Sequence, residues 1–137
     1  MADLTSALLC DFAQVREGVL FVSSGGVSRL TTTSLPCPFA MHLALLFEVP
    51  PEEIGNSFRV HVAIAHAPTA HVGGTAEANL TTRSSDAMLA GEALMVPMAV
   101  DLRPIEVHQP GPHDVRISVD GQLARFLTVN VLTNQSR

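Results

Sequence analysis

The chain has no lysine, no tryptophan and no tyrosine. Its eight basic residues are all arginine, and the formal net charge is -5. A protein that holds nucleic acid through its phosphates needs a basic surface, and usually aromatics on which bases stack. This composition excludes that class. Charged residues make up only 15% of the 137 residues, against about 25% in typical soluble domains. Such a chain cannot cover its whole surface with charge. Exposed apolar patches are expected, and self-association is the common way to hide them. No run approaches the ~18 consecutive apolar residues of a membrane-spanning helix. The start, Met1-Ala2-Asp3-Leu4-Thr5-Ser6, lacks the basic residues of a secretion signal. The expected location is cytoplasmic, with Cys10 and Cys37 as reduced thiols. Of the two, Cys10 reads as a small packed hydrophobe, and Cys37 sits between two prolines with no basic neighbour to lower its pKa.

Phosphate-loop motifs are missing too. A P-loop ends in lysine and Ser or Thr, and the dinucleotide fingerprint GxGxxG does not occur. Gly26-Val27-Ser28-Arg29-Leu30 has the first glycine and the serine of a nucleophile elbow but not its second glycine. In "FVSSGGVSRL", residues 21–30, the Gly25–Gly26 pair therefore reads as a bulge or sharp bend in a long strand. "HVGGT" at 71–75 reads the same way at a loop-to-strand junction.

What the sequence has in abundance is period-two alternation. It runs through "HLALLFEV" (42–49), "SFRVHVAIA" (57–65) and "HDVRISVDG" (113–121). "ALLCDFAQV", "GVLFV" and "LMVPMAVDL" are apolar on both faces and fit central strands or strands covered by a partner molecule. Eight strands are expected, near 7–15, 19–32, 40–49, 57–67, 74–82, 95–105, 113–119 and 122–132. A short helix near 84–92 stays open. "EG" at 17–18 marks a turn, and "DG" at 120–121 is the strongest hairpin signal, because a type I′ turn wants positive φ at both central residues. "PPEEIGN" at 50–56 reads as a longer loop, with room for one helical turn, joining an antiparallel pair. The expected fold is all-β: one domain, residues 1–137, built as a two-sheet antiparallel β-sandwich of immunoglobulin-like or jelly-roll-like topology. Residues 133–137 are expected to fray.

Few residues invite a chemical reading. His61, His66 and His71 are spaced by five, as are His108 and His113. Residues five apart on one strand face opposite ways. "HAPTAH", 66–71, contains a turn that can bring His66 and His71 together, but a metal site needs a third ligand and supporting partners. Asp11 lies within an apolar strand, where a charge is costly unless paired. It is read either as structural, bonding backbone N–H groups or Arg29, or as a carboxylate in a pocket. Met88, Met95 and Met98 fit a filled core or the lining of a ligand pocket. No catalytic, cofactor-binding or metal-binding residue is assigned, and no cofactor is expected.

"ALLCDFAQVREGVLFVSSGGVSRL", "LALLFEVPPEEIGNSFRVHV" and "PGPHDVRISVDGQLARFLTVNV" together resemble a family of uncharacterised bacterial proteins common in actinobacteria. The matching positions are Asp11, Gly25, Gly26, Pro110, Gly111, Asp120 and Gly121. His113 departs from the aromatic often found there, which puts a tyrosine-corner contact in doubt. The resemblance implies a small β-sandwich of unknown function, without catalytic residues or ligand.

The expectation for function is a non-enzymatic interaction or assembly module that self-associates, a dimer being favoured, with an unidentified protein partner and neither nucleic acid nor membrane. The alternative is a small-molecule-binding sandwich. A hydrolase built on Ser28 or a histidine, or a metal-binding protein, ranks below both.

Overall fold

The computed structural model describes residues 1–134. Eleven strands follow one another: β1 (Asp3–Arg16), β2 (Val19–Gly25), β3 (Arg29–Thr32), β4 (Cys37–Pro38), β5 (His42–Val49), β6 (Ser57–His66), β7 (His71–Thr81), β8 (Leu94–Asp101), β9 (Glu106–Val107), β10 (Gly111–Val119) and β11 (Gln122–Thr133). They form a four-stranded sheet in the order β2-β1-β5-β8, a five-stranded sheet in the order β3-β11-β10-β6-β7, and a small β4-β9 ladder. The fold is all-β, as expected. Its eleven strands exceed the eight expected because the 19–32 stretch divides and two short strands join the loops.

The alternating runs behave as their period demands. On β10, His113, Val115, Ile117 and Val119 are buried; on β6, Phe58, Val60, Val62 and Ile64 are buried. The apolar ones meet Leu43, Leu45 and Phe47 of β5 in one core shared by the two main sheets. Each fully buried aliphatic side chain contributes roughly 1.5–3 kcal/mol of transfer free energy. Asp120 and Gly121 both have positive φ (49° and 82°), so the β10–β11 turn has the expected hairpin geometry.

Four expectations need correction. First, β5 and β6 are not an antiparallel pair. Each lies in a different sheet, and Pro50–Asn56, with a 3₁₀ turn at Pro51–Glu53, carries the chain across. The reason is burial: β5 is covered along almost its whole length and takes the inner position between β1 and β8. Second, residues 19–32 are not one bent strand. At Gly26, φ +87°, the chain leaves the four-stranded sheet, and β3 then pairs in parallel with β11 in the other. Leu9 C=O fixes the crossing by accepting from the N–H groups of Gly26 (2.8 Å) and Val27 (3.0 Å). Third, Gly73 is a bulge within β7, not at its entrance, and a Cβ on Gly74 would lie 2.8 Å from Ile105 Cγ2, so glycine there admits Ile105 into the core. Fourth, Thr133 ends β11 and Asn134 N–H donates to Thr32 C=O (2.8 Å). The rest of the expected frayed tail, 135–137, lies outside the described residues. Residues 84–92 form turns and no helix.

Candidate functional site

The β1–β2 hairpin is the most unusual surface of the molecule. Glu17 and Gly18 both have positive φ, closing a two-residue turn between Arg16 and Val19. Leu8, Phe12, Val15, Val19, Phe21 and Val22 are all exposed on this hairpin, at 39–57% of their surface. Only Ala13 and Leu20 of its far half turn inward. They pack with Cys10, Ala44 and Ala99 in a second small apolar cluster, curling the hairpin toward β5 and β8. Small side chains let the strands approach, and the large apolar ones are left outside.

Beside this cluster, one register row aligns Cys10, His42 and Asp101 on β1, β5 and β8. Cysteine, histidine and carboxylate in a row invite a nucleophilic reading, but the hydrogen bonds run elsewhere. Cys10 S–H donates to His42 C=O (3.5 Å). His42 Nδ1–H donates to Asp11 C=O (3.2 Å), and Nε2 faces Asp101 at 3.9 Å. Burial, reinforced by the charge of Asp11, pushes the Cys10 thiol above its ordinary pKa. An activated thiolate requires the opposite shift and an imidazole nitrogen on sulfur. Arg103 grips Asp101 through two side-chain bonds (2.8 and 2.9 Å) and holds its carboxyl well below the usual range. His42 also stacks edge-on against Phe12, with ring centroids 5.0 Å apart. The row anchors the base of the hairpin.

A second row lies at the end of the five-stranded sheet. His71, His66 and His113 are direct neighbours across β7, β6 and β10. The turn does bring His66 and His71 into register, as the spacing allows. His113 is the neighbour that sequence spacing missed, because its pairing with His66 comes from sheet order and not from local pattern. His66 and His113 rings meet at 5.1 Å. His66 Nε2–H donates to Pro110 C=O (3.0 Å), leaving Nδ1 to accept from Thr69 (2.9 Å). His113 Nδ1–H donates to Gly111 C=O (3.0 Å), and burial lowers its pKa. With Glu106 and His108 these side chains line a cavity of about 20 Å³, room for one water. Among the described residues no three histidine, cysteine or carboxylate side chains converge as a metal site.

The remaining candidates disperse. Asp11 is exposed; among the described residues its side chain bonds neither the Gly25–Gly26 bend nor Arg29, and its carbonyl accepts from His42 Nδ1–H. Leu9, Cys10 and Ala13 around it are buried and Phe12 beside it is exposed, so apolar flanks in the chain do not carry Asp11 inward. Ser28 is exposed, and among the described residues its hydroxyl meets no histidine or carboxylate. Met95 and Met98 lie on opposite faces of the edge strand β8. Met98 packs on the core, Met95 is exposed and Met88 lies in a bend outside the strands, and none of the three lines one of the cavities described. An open trough of about 540 Å³ crosses the outer face of β6, β10 and β11, between His61, Arg116, Leu123 and Phe126.

A family of unknown function (DUF6941) has a model that matches residues 5–132. The chain belongs to this family. That agrees with the resemblance read from the opening and closing segments. No curated relative matches the chain. Among solved structures, this DUF6941 member is similar to the Pseudomonas fluorescens alkylpurine DNA glycosylase AlkC bound to DNA containing an abasic site analog, with 14% identity and a TM-score of 0.50. The match covers 96% of this chain and 30% of the glycosylase. A β-glucosidase from Listeria innocua in complex with gluconolactone matches at 12% identity and a TM-score of 0.39, covering 96% of this chain and 16% of that one. At such identity the AlkC likeness concerns the fold alone. No helix among the described residues is long and apolar enough to cross a membrane.

Proposed function

We propose that this protein is a non-enzymatic interaction module that self-associates as a dimer through the β1–β2 hairpin. The observation that carries the reading is the concentration of six large, exposed apolar side chains on one hairpin. By register Phe12, Val19 and Phe21 share one face of the hairpin, while Val15 and Val22 lie on the other, so exposed apolar side chains flank the β2 edge on both sides. The low charge content supports the reading, as does the engagement of Cys10 and His42 in structural bonds. The two free cysteines fit a cytoplasmic location. The DNA held by AlkC is not carried over, because a chain without lysine and with net charge -5 lacks the basic footprint. Light scattering across micromolar concentrations tests the proposal. Dimers are expected from the wild type, and monomers from Phe12→Ser combined with Phe21→Ser. A wild-type protein that stays monomeric at high micromolar concentration overturns it.

A second reading, a small-molecule-binding sandwich, rests on the trough between Arg116 and Phe126, whose volume matches known ligand sites. Thermal-shift screening with Arg116→Ala as control tests it. A stabilising compound whose effect vanishes in the variant supports it.

A further inference from the structure

The two main sheets end in four edge strands, and three of them are blunted. β8 carries Pro97 and Asp101; β7 carries Glu77 and the Gly73 bulge; β3 is four residues long and begins with Arg29. Proline, charge, bulges and shortness are the usual protections against strand pairing between molecules. β2, "VLFVSSG", has none of them over Val19–Ser23, and departs from regular strand geometry only at Ser24, φ +56°.

The register identifies which of its backbone groups are free. In a hairpin closed by two residues, the flanking pair exchanges both hydrogen bonds, and every second pair does so after it. Arg16 and Val19 flank the turn. Val19, Phe21 and Ser23 therefore bond to β1, whereas Leu20 and Val22 aim their N–H and C=O groups away from the sheet. Among the described residues no other backbone group bonds to them.

We propose that the second copy pairs its β2 with this β2, antiparallel about a two-fold axis at Phe21, joining the two four-stranded sheets into one. The proposal rests on the self-association proposed above and specifies its geometry. Leu20 then lies opposite the copy's Val22, and Val22 opposite the copy's Leu20, which satisfies both sets of free groups. Phe21 meets its own counterpart across the axis, and Phe12 shares its face, so the exposed rings form one strip. A symmetric pairing fails where like charges meet. Here the paired stretch, Val19 to Ser23, carries no charged side chain, so no charge opposes another. Each copy then buries its open strand edge and part of the apolar side chains that flank it.

Val22→Pro is the decisive variant. It removes an N–H aimed at the copy and leaves the Phe21 and Ser23 bonds to β1 in place, a position where an edge strand tolerates proline. The dimer dissociation constant is expected to rise at least about tenfold, with the far-ultraviolet circular dichroism unchanged. Amide exchange of the wild type supplies a readout that needs no variant. The Leu20 and Val22 amides are expected to be protected at high concentration and to exchange freely on dilution, while Phe21 stays protected throughout. A wild-type dimer in which Leu20 and Val22 exchange freely, or a folded Val22→Pro protein that dimerises as well as the wild type, overturns the edge pairing and leaves self-association through the apolar face standing. A monomeric wild type instead overturns the self-association itself.

Discussion

The β1–β2 and β10–β11 hairpins share a turn and differ in almost everything else. Each is closed by an acidic residue and a glycine, both at positive φ. The Asp120 turn is clamped: its N–H donates to Arg59 C=O and its carboxylate accepts from Arg59 N–H, both at 2.9 Å. Among the described residues the Glu17 turn has no such clamp. β10 buries every second side chain, whereas β1 and β2 leave six large apolar ones exposed. Turn chemistry is thus a local property, and burial depends on what another element brings to the strand. The core of the fold lies under one hairpin, and the surface available to a partner lies on the other.

The comparison breaks most visibly at the side chains. Ile117→Ala, at a fully buried position of β10, is expected to cost about 2–5 kcal/mol in urea unfolding. Phe21→Ser on the other hairpin is expected to leave the stability of the isolated protomer nearly unchanged. Equal losses at both sites would show that the exposed hairpin is covered within the protomer. The turns should behave alike. Gly18→Ala and Gly121→Ala, at φ +74° and +82° with open space around each glycine, are each expected to cost about 1 kcal/mol. A much larger loss at Gly121 would locate that difference in the Arg59 clamp.

The smallest effect is in pH. Burial lowers the pKa of His113, with His66 adding repulsion while Gly111 C=O and Asp114 act the other way. The unfolded chain accepts a proton near pH 6.5 and the folded one resists it. Stability is complete above that pH and declines as pH falls below it, until His113 protonates in the folded state as well. Urea midpoints between neutral and mildly acidic pH should show this decline, and His113→Phe should flatten it. An unchanged slope in the variant would assign the decline to other groups.

Much of the architecture was legible. Period-two runs marked β5, β6 and β10, and Asp120–Gly121 marked a hairpin, because both signals come from neighbouring residues. What was not legible depended on distant ones. "HLALLFEV" and "SFRVHVAIA" look like hairpin partners until the full cover on β5 puts it in the other sheet. Gly25–Gly26 reads as a bend, but only the presence of β11 tells that β3 leaves for a second sheet. Asp11 looks buried because its neighbours are apolar, yet it is exposed while Cys10 next to it is fully buried, a difference set by the strand's surroundings and not by its flanks. The histidine row needed the order β7-β6-β10 to place His113 beside His66.

The parallel β3–β11 ladder couples an early segment to a late one. β3 is made soon after β2, yet β11, its ladder partner among the described residues, is translated after β1–β10. During synthesis the β1–β2 hairpin can therefore form while the segment beyond Gly26 has nowhere to dock. The five-stranded sheet closes only when residues 130–133 have left the ribosome, so truncation within β11 strands a segment a hundred residues upstream.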